Sequence, residues 1–188
     1  MKKIILGSNS PRRRELLAGL DIDFTVDTGN TFEERLEPGV EAHQVPVQLS
    51  AGKSHGFHRP LAEDEVLITS DTVVIVDQEV LGKPHSREEA VEMLRKLSGR
   101  AHEVVTAVTI RDYEREETFS VSTQVHFEVL TQAEIDHYID KYRPYDKAGA
   151  YGIQEWIGYV GISAIEGSFY NVMGFPVHRV WHALQRFL

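Results

Sequence analysis

The chain has 188 residues, 41% of them hydrophobic and 26% charged, enough for a sizeable core in one domain spanning 1–188. Its formal net charge of −9 argues against nonspecific wrapping of DNA or RNA, which needs a basic surface. With no cysteine it has no disulfide, thiolate nucleophile or Cys-based zinc site, and no apolar run approaches the roughly 18 residues of a membrane span.

"MKKIILGSNS" begins as a secretory signal does, but its apolar stretch is far short of the roughly 7–15 residues such a signal needs. A soluble, cytoplasmic protein is expected. Lys3–Leu6 reads as a buried strand feeding a helix that Ser10 caps and Pro11 opens. That helix ends near Gly19, with Leu16, Leu17 and Leu20 on one face. "DFTV" (23–26) is a second short strand, and "GNTFEERLEPG" is a polar loop. "PVQLSAGKSHGF" is helical in tendency provided Pro46 sits in the first turn. Residues 66–76, "VLITSDTVVIV", are an apolar run interrupted by Ser-Asp-Thr, and Asp77-Gln78 is a turn from which "EVLGKP" returns.

Ser86 and Glu89 have capping-box spacing ahead of Ala90, Met93, Leu94 and Leu97, with Gly99 as the stop. "EVVTAVTI" and "FSVSTQVHFEV" alternate with period two and read as strands. Thr131 and Glu134 open a helix through Ile135, Tyr138 and Ile139. "RPYDKAGAYGIQ" is turn-rich. "YVGISAI" and "SFYNVM" are expected as two strands joined at Glu166-Gly167, and a last helix runs from Pro176. Strands and helices intermix without strict alternation, which predicts a mixed sheet flanked by helices.

Arg12, Arg13 and Arg14 stand at the N-terminus of the first helix, where the dipole disfavours cations. They make sense there if an anion sits among them, because N-terminal N–H groups and guanidiniums together form a phosphate site; otherwise they fan into water. Asp71 amid "LITSDTVVIV" is costly to bury unless it meets a cation, a metal or several N–H groups. The other possibility is a tight turn that turns Asp71 to water. Lys83, between Gly82 and Pro84, is a cation aimed by a fixed backbone, or else a solvated turn lysine. Lys53 in "LSAGKS" is a weaker signal. Glu33 and Glu34 offer the hard oxygens a divalent cation prefers, although loop acids are commonly just solvated. Gln154 carries a donor beside an acceptor, the complement of the O4 and N3–H edge of uracil and thymine; a structural amide is the alternative. His178 and His182 lie at i, i+4 but lack the intervening Glu of a zinc hydrolase helix.

Neither a Walker A loop nor G-x-G-x-x-G is present. Taken together and in order, "SNSPRRRELL", "FEE", "LSAGKS", "SDTVV", "LGKP", "MLRKLSG", "DKAGAYGIQ" and "GSFYNVMGFP" resemble the Maf family of nucleotide pyrophosphatases, also called septum-formation inhibitors. The likeness runs over nearly the whole chain. Gly7, Ser50, Ser54 and Ser86 depart from the family pattern, and the serines around Lys53 bear on how that lysine is presented.

The resemblance implies an α/β fold like that of inosine-triphosphate pyrophosphatases: a twisted mixed sheet, outer helices, and two lobes with a central cleft. It implies cleavage of a nucleoside triphosphate between the α and β phosphates. "AGAYGIQ" with Arg12 and Thr72 is similar to the branch acting on dTTP and UTP. On that likeness Ser8, Ser10, Arg13, Lys53 and Lys83 bind phosphates. Glu33 and Asp71 hold Mg²⁺ or Mn²⁺, with Asp71 also the base for the attacking water. Arg12, Thr72 and Gln154 choose the base. The expected partner is a small nucleotide, with no nucleic acid and no membrane; a homodimer is left open. Two alternatives stand beside this: a nucleotide-binding regulator of septum formation that does not hydrolyse its ligand, and a phosphatase of another substrate such as a sugar nucleotide.

Overall fold

A computed structural model describes residues 1–35 and 37–188. Seven strands form one mixed sheet. β1 (Lys3–Leu6) pairs in parallel with both β2 (Phe24–Val26) and β3 (Glu65–Val76), and β3 pairs antiparallel with β4 (Glu79–Leu81). β5 (Ala101–Arg111), β6 (Glu116–Phe127) and β7 (Ile162–Glu166) complete the order β2-β1-β3-β5-β6-β7, β6 and β7 being antiparallel. The helices are α1 (Pro11–Ala18), α2 (Gln44–His55), α3 (Arg87–Leu97), α4 (Gln132–Tyr142), α5 (Trp156–Gly161), α6 (Phe169–Val172) and α7 (Val177–Leu184). Among the described residues no helix is long and apolar enough to cross a membrane.

The chain folds as two compact units, and it passes between them repeatedly. The first holds 1–71, 106–121 and 174–188; the second holds 72–105 and 122–173. In the first unit, strand periodicity sorts the core. Ile4, Leu6, Val66 and Ile68 share one face with Val108, Ile110 and Phe119, and there meet Leu17 of α1 and Val180, Ala183 and Leu184 of α7. The alternate residues Ile5 and Leu67 face the other way and pack with Phe57 and Leu61. With both faces covered, these strands read as continuous apolar runs. In the second unit, α3 and α4 lie against each other. Arg87 of α3 pairs with Asp136 at 2.9 Å and Asp140 at 2.8 Å on α4.

Most helix boundaries follow local chemistry. Pro46 sits in the first turn of α2, the Thr131/Glu134 box is reciprocal, and Asp77 and Gln78 both take positive φ (51° and 64°), as a two-residue hairpin turn requires. Ser86 caps α3 through the Glu89 N–H, but the Glu89 carboxylate accepts from His85 and leaves the Ser86 N–H out of the box.

Strand β3 runs unbroken through Ser70-Asp71-Thr72, which rules out the alternative of a turn exposing Asp71. Two expectations near the C-terminus are corrected. "SFYNVM" is α6 and not a strand. Ser168 caps it by accepting from the Asn171 N–H, and the buried Asn171 amide donates to Val104 O at 3.2 Å and Thr123 Oγ1 at 2.9 Å. Likewise "YVG" ends helix α5, and β7 starts only at Ile162. A Cβ at Gly158 would stand 1.8 Å from Ile153 O, so this close turn needs glycine.

Candidate active site

In the first unit, α1 answers the question of its arginines. Ser10 caps the helix by accepting from the Arg13 N–H at 3.4 Å. The Arg13 side chain then turns back along the helix mouth. Its Nε donates to Gly174 O at 2.9 Å, and its Nη1 donates to Ser8 Oγ at 3.3 Å. The buried Ser8 hydroxyl also accepts from the Ser10 N–H at 3.2 Å. Burial lowers the Arg13 pKa; the charges of Asp71 and Glu34 oppose that shift, while Arg12 adds to it. A guanidinium is still cationic under such conditions. Arg12 is half-buried and Arg14 exposed.

Lys53 projects from the last turn of α2, and its Nζ lies 2.8 Å from Asp71 Oδ1 and 2.8 Å from Glu34 Oε1. The two carboxylate oxygens therefore stand within twice that distance of each other. Asp71 is 9% exposed, so the lysine compensates a charge that burial alone would penalise.

Two devices set the lysine. The first ties α2 to the sheet through the serines that depart from the family pattern. Ser50 Oγ meets Thr109 Oγ1 at 2.9 Å, Thr69 Oγ1 donates to Ser50 O at 2.9 Å, and Arg111 donates to Ser54 Oγ and Ser54 O at 3.1 and 2.7 Å. These serines thus add anchors beside Lys53.

The second device lays the loop that carries the acids along α2. Asn30 Nδ2 donates to Lys53 O at 2.6 Å, and the Thr31 N–H donates to Gly56 O at 2.8 Å. The Phe32 ring covers Gly52 so closely that a Cβ there would lie 2.3 Å from Phe32 Cζ. This seats Glu34 at the lysine. Glu33, the acid expected as a cation ligand, is 72% exposed and paired with Arg35; its neighbour Glu34 occupies the place beside Lys53.

The first unit thus brings together Ser8, Ser10, Arg12, Arg13, Lys53 and Asp71, and adds Glu34. The second unit carries the remaining candidates. Thr72 follows Asp71 on β3 and is half-buried. Lys83 is exposed in the connection from β4 to α3, and Gly82 O, just before it, accepts from the Gly149 N–H at 3.1 Å. Gln154 lies in the turn ahead of α5, and its Oε1 is buried with no hydrogen-bond partner among the described residues. The turn motif that carries it also holds two consecutive left-handed residues, Gly149 (φ 69°) and Ala150 (φ 61°).

Chemically, the first unit offers a carboxylate paired with a lysine, and a lysine and an arginine for phosphate oxygens. Its two acids share the Lys53 ammonium between them. Among the described residues no group of three or more His, Asp or Glu side chains is arranged to hold a metal ion.

Comparison with known proteins points the same way. A family model described as "Maf-like protein" matches residues 3–187. A dTTP/UTP pyrophosphatase from Porphyromonas gingivalis strain W83 is 51% identical over 98% of this chain and 94% of its own. One from Parabacteroides distasonis is 49% identical over 98% and 96%, and one from Bacteroides thetaiotaomicron is 46% identical over 98% and 95%. Among solved structures, a HAM1 protein from Coxiella burnetii shares the fold. Its TM-score is 0.51 at 12% identity, covering 99% of this chain and 100% of that one.

Proposed function

The chain belongs to the Maf-like family, and from that premise we propose that it hydrolyses dTTP and UTP to the nucleoside monophosphate and pyrophosphate. It is a nucleoside triphosphate pyrophosphatase, working as one Maf-like domain on a small ligand from the cytoplasmic nucleotide pool. The observation that carries the chemistry is the Lys53 ammonium, 2.8 Å from both Asp71 and Glu34, in the same unit as the half-buried Arg13.

Each residue then has a task. Arg13, held by Ser8 and Gly174, and Lys53 meet phosphate oxygens, the Ser10-capped helix end adds its N–H groups, and Lys83 is assigned to phosphate binding as well. Asp71 takes the proton of the attacking water as the α–β phosphoanhydride breaks. Negative charge developing on the departing pyrophosphate falls to the fixed cations. Arg12, Thr72 and Gln154 select the base, the unpartnered Gln154 carbonyl being the acceptor for N3–H of uracil or thymine.

The donor set suits Mg²⁺ or Mn²⁺. Asp71 and Glu34 would hold the ion through the hard carboxylate oxygens that such cations prefer. Glu34 would take the part that the family resemblance implied for Glu33. The bound ion would supply positive charge to the phosphate oxygens. Relatives named as pyrophosphatases at 46–51% identity favour hydrolysis over a regulator that only holds nucleotide.

The test is a panel of dTTP, UTP, CTP and sugar nucleotides, each with Mg²⁺, with Mn²⁺ and with chelator. Pyrophosphate and monophosphate should appear in equal amounts from dTTP and UTP. Orthophosphate as the product would make this a phosphatase of another kind, and tight binding without turnover would make it a regulator.

A further inference from the structure

Base choice needs Gln154 held in place, because an amide that can swing presents either of its faces. The second unit contains a device for this on α4. Gln154 and Ile153 are the central residues of a turn closed by the Glu155 N–H donating to Gly152 O at 3.0 Å. Tyr138, fully buried on α4, reaches both ends of that turn with one oxygen. Its hydroxyl accepts from the Gly152 N–H at 3.0 Å and donates to Glu155 Oε1 at 2.7 Å.

The surroundings admit little play. Lys147 Nζ stands 3.6 Å from the same Glu155 oxygen. A Cβ at Gly152 would lie 2.8 Å from Glu155 Oε1 and 2.9 Å from Lys147 Cε, so the absent side chain is what lets the clamp close. Burial, with the Glu155 carboxylate against it, pushes the Tyr138 phenol pKa upward; the hydroxyl stays a donor. Within this pinned turn Gln154 Oε1 is buried without a partner, an acceptor oriented ahead of its ligand.

We propose that Tyr138 is a positioning residue for base selection, its hydroxyl clamping the Gly152–Glu155 turn so that Gln154 meets a pyrimidine edge in one orientation. This rests on the assignment of Gln154 to the base site. Tyr138 touches neither base nor phosphate and acts through the turn. A hydroxyl that only filled the core would affect stability and leave substrate preference alone.

Four variants separate these outcomes, each measured for kcat and KM with UTP and CTP and for thermal melting. Tyr138→Phe keeps the ring and removes the clamp. It should lower the UTP-over-CTP preference in kcat/KM by about 3- to 10-fold, the scale of one hydrogen bond, through KM for UTP with kcat nearly unchanged. Glu155→Ala should do the same from the other end, and it decides the matter if Tyr138→Phe does not fold. Glu155→Gln keeps an acceptor for the phenol and should restore the preference. A lower melting temperature with unchanged preference in both Tyr138→Phe and Glu155→Ala would overturn the clamp. Gln154→Ala is the reference. If it leaves the preference at the wild-type value, the base-site assignment itself is wrong and the clamp falls with it. If it narrows the preference while the other two do not, the clamp alone fails.

Discussion

Asp71 and Lys53 depend on each other. The carboxylate is affordable inside β3 only because an ammonium sits 2.8 Å away, and the ammonium is aimed because two acids hold it. Asp71→Asn keeps the volume and a weaker contact to Lys53 but cannot accept the water's proton. Turnover of UTP should fall by about 10²- to 10⁴-fold with a nearly unchanged melting curve; more than about a tenth of wild-type kcat would remove Asp71 from the base role. Two lysines of equal charge give a second comparison. Lys96 is engaged with Glu79 on the protein surface, whereas Lys83 is proposed to meet phosphates. Lys83→Ala should cost about 10²-fold in kcat/KM, and Lys96→Ala no more than about twofold. Equal losses would show that Lys83 is not aimed at the substrate.

At the scale of elements, the site depends on a loop lying flat along a helix. Gly52→Ala should favour α2 by about 0.5–1 kcal/mol on helix propensity, but the added methyl would meet the Phe32 ring at 2.3 Å. The loop must lift and carry Glu34 away from Lys53. The expected outcome is a melting temperature held or raised, together with a loss of about tenfold in kcat/KM from misplacement of the acid. Retained activity would show that Glu34 need not be seated by Phe32.

The same packing explains what the sequence could and could not tell. Strands β1 and β5, the caps at Ser10 and Thr131 and the place of Pro46 were legible, because short apolar runs, period-two alternation and capping chemistry are local. Which of Glu33 and Glu34 stands beside Lys53 was not, since an aromatic ring resting on a glycine twenty residues away positions that loop. Helix α6 was missed because "SFYNV" is rich in aromatics and a β-branched residue. The deciding contacts, from Asn171 to Val104 and Thr123, are non-local. Tyr138 read only as a helix core position, and nothing in its spacing announced a hydroxyl tied to residues 152 and 155.

For the molecule as a whole, stability should depend on one histidine outside the catalytic set. His102 on β5 is 3% exposed, stacks on Phe127 and meets Tyr151 Oη at 2.6 Å, while its Nδ1 has no partner among the described residues. Burial, with a smaller contribution from the charge of His126, lowers its pKa from 6.5 to about 4. The unfolded chain therefore binds a proton that the folded one refuses. Stability is fully retained above pH 6.5, falls as pH drops through the interval down to about 4, and is lost by about 3 kcal/mol at its lower end. Urea unfolding from pH 7 to pH 4 should show that slope in the wild type and a shallower one in His102→Gln; equal slopes would assign the acid sensitivity elsewhere.

The enclosure of that ring also makes it a clock. The carbon-bound hydrogen between the two imidazole nitrogens trades for deuterium only where solvent reaches the ring. In heavy water His85, whose side chain is 89% exposed, should exchange without any opening of the structure. His102 should stay protiated until the structure around it opens, so mass measured at that one residue over days would time the breathing of the protein's second unit without any mutation.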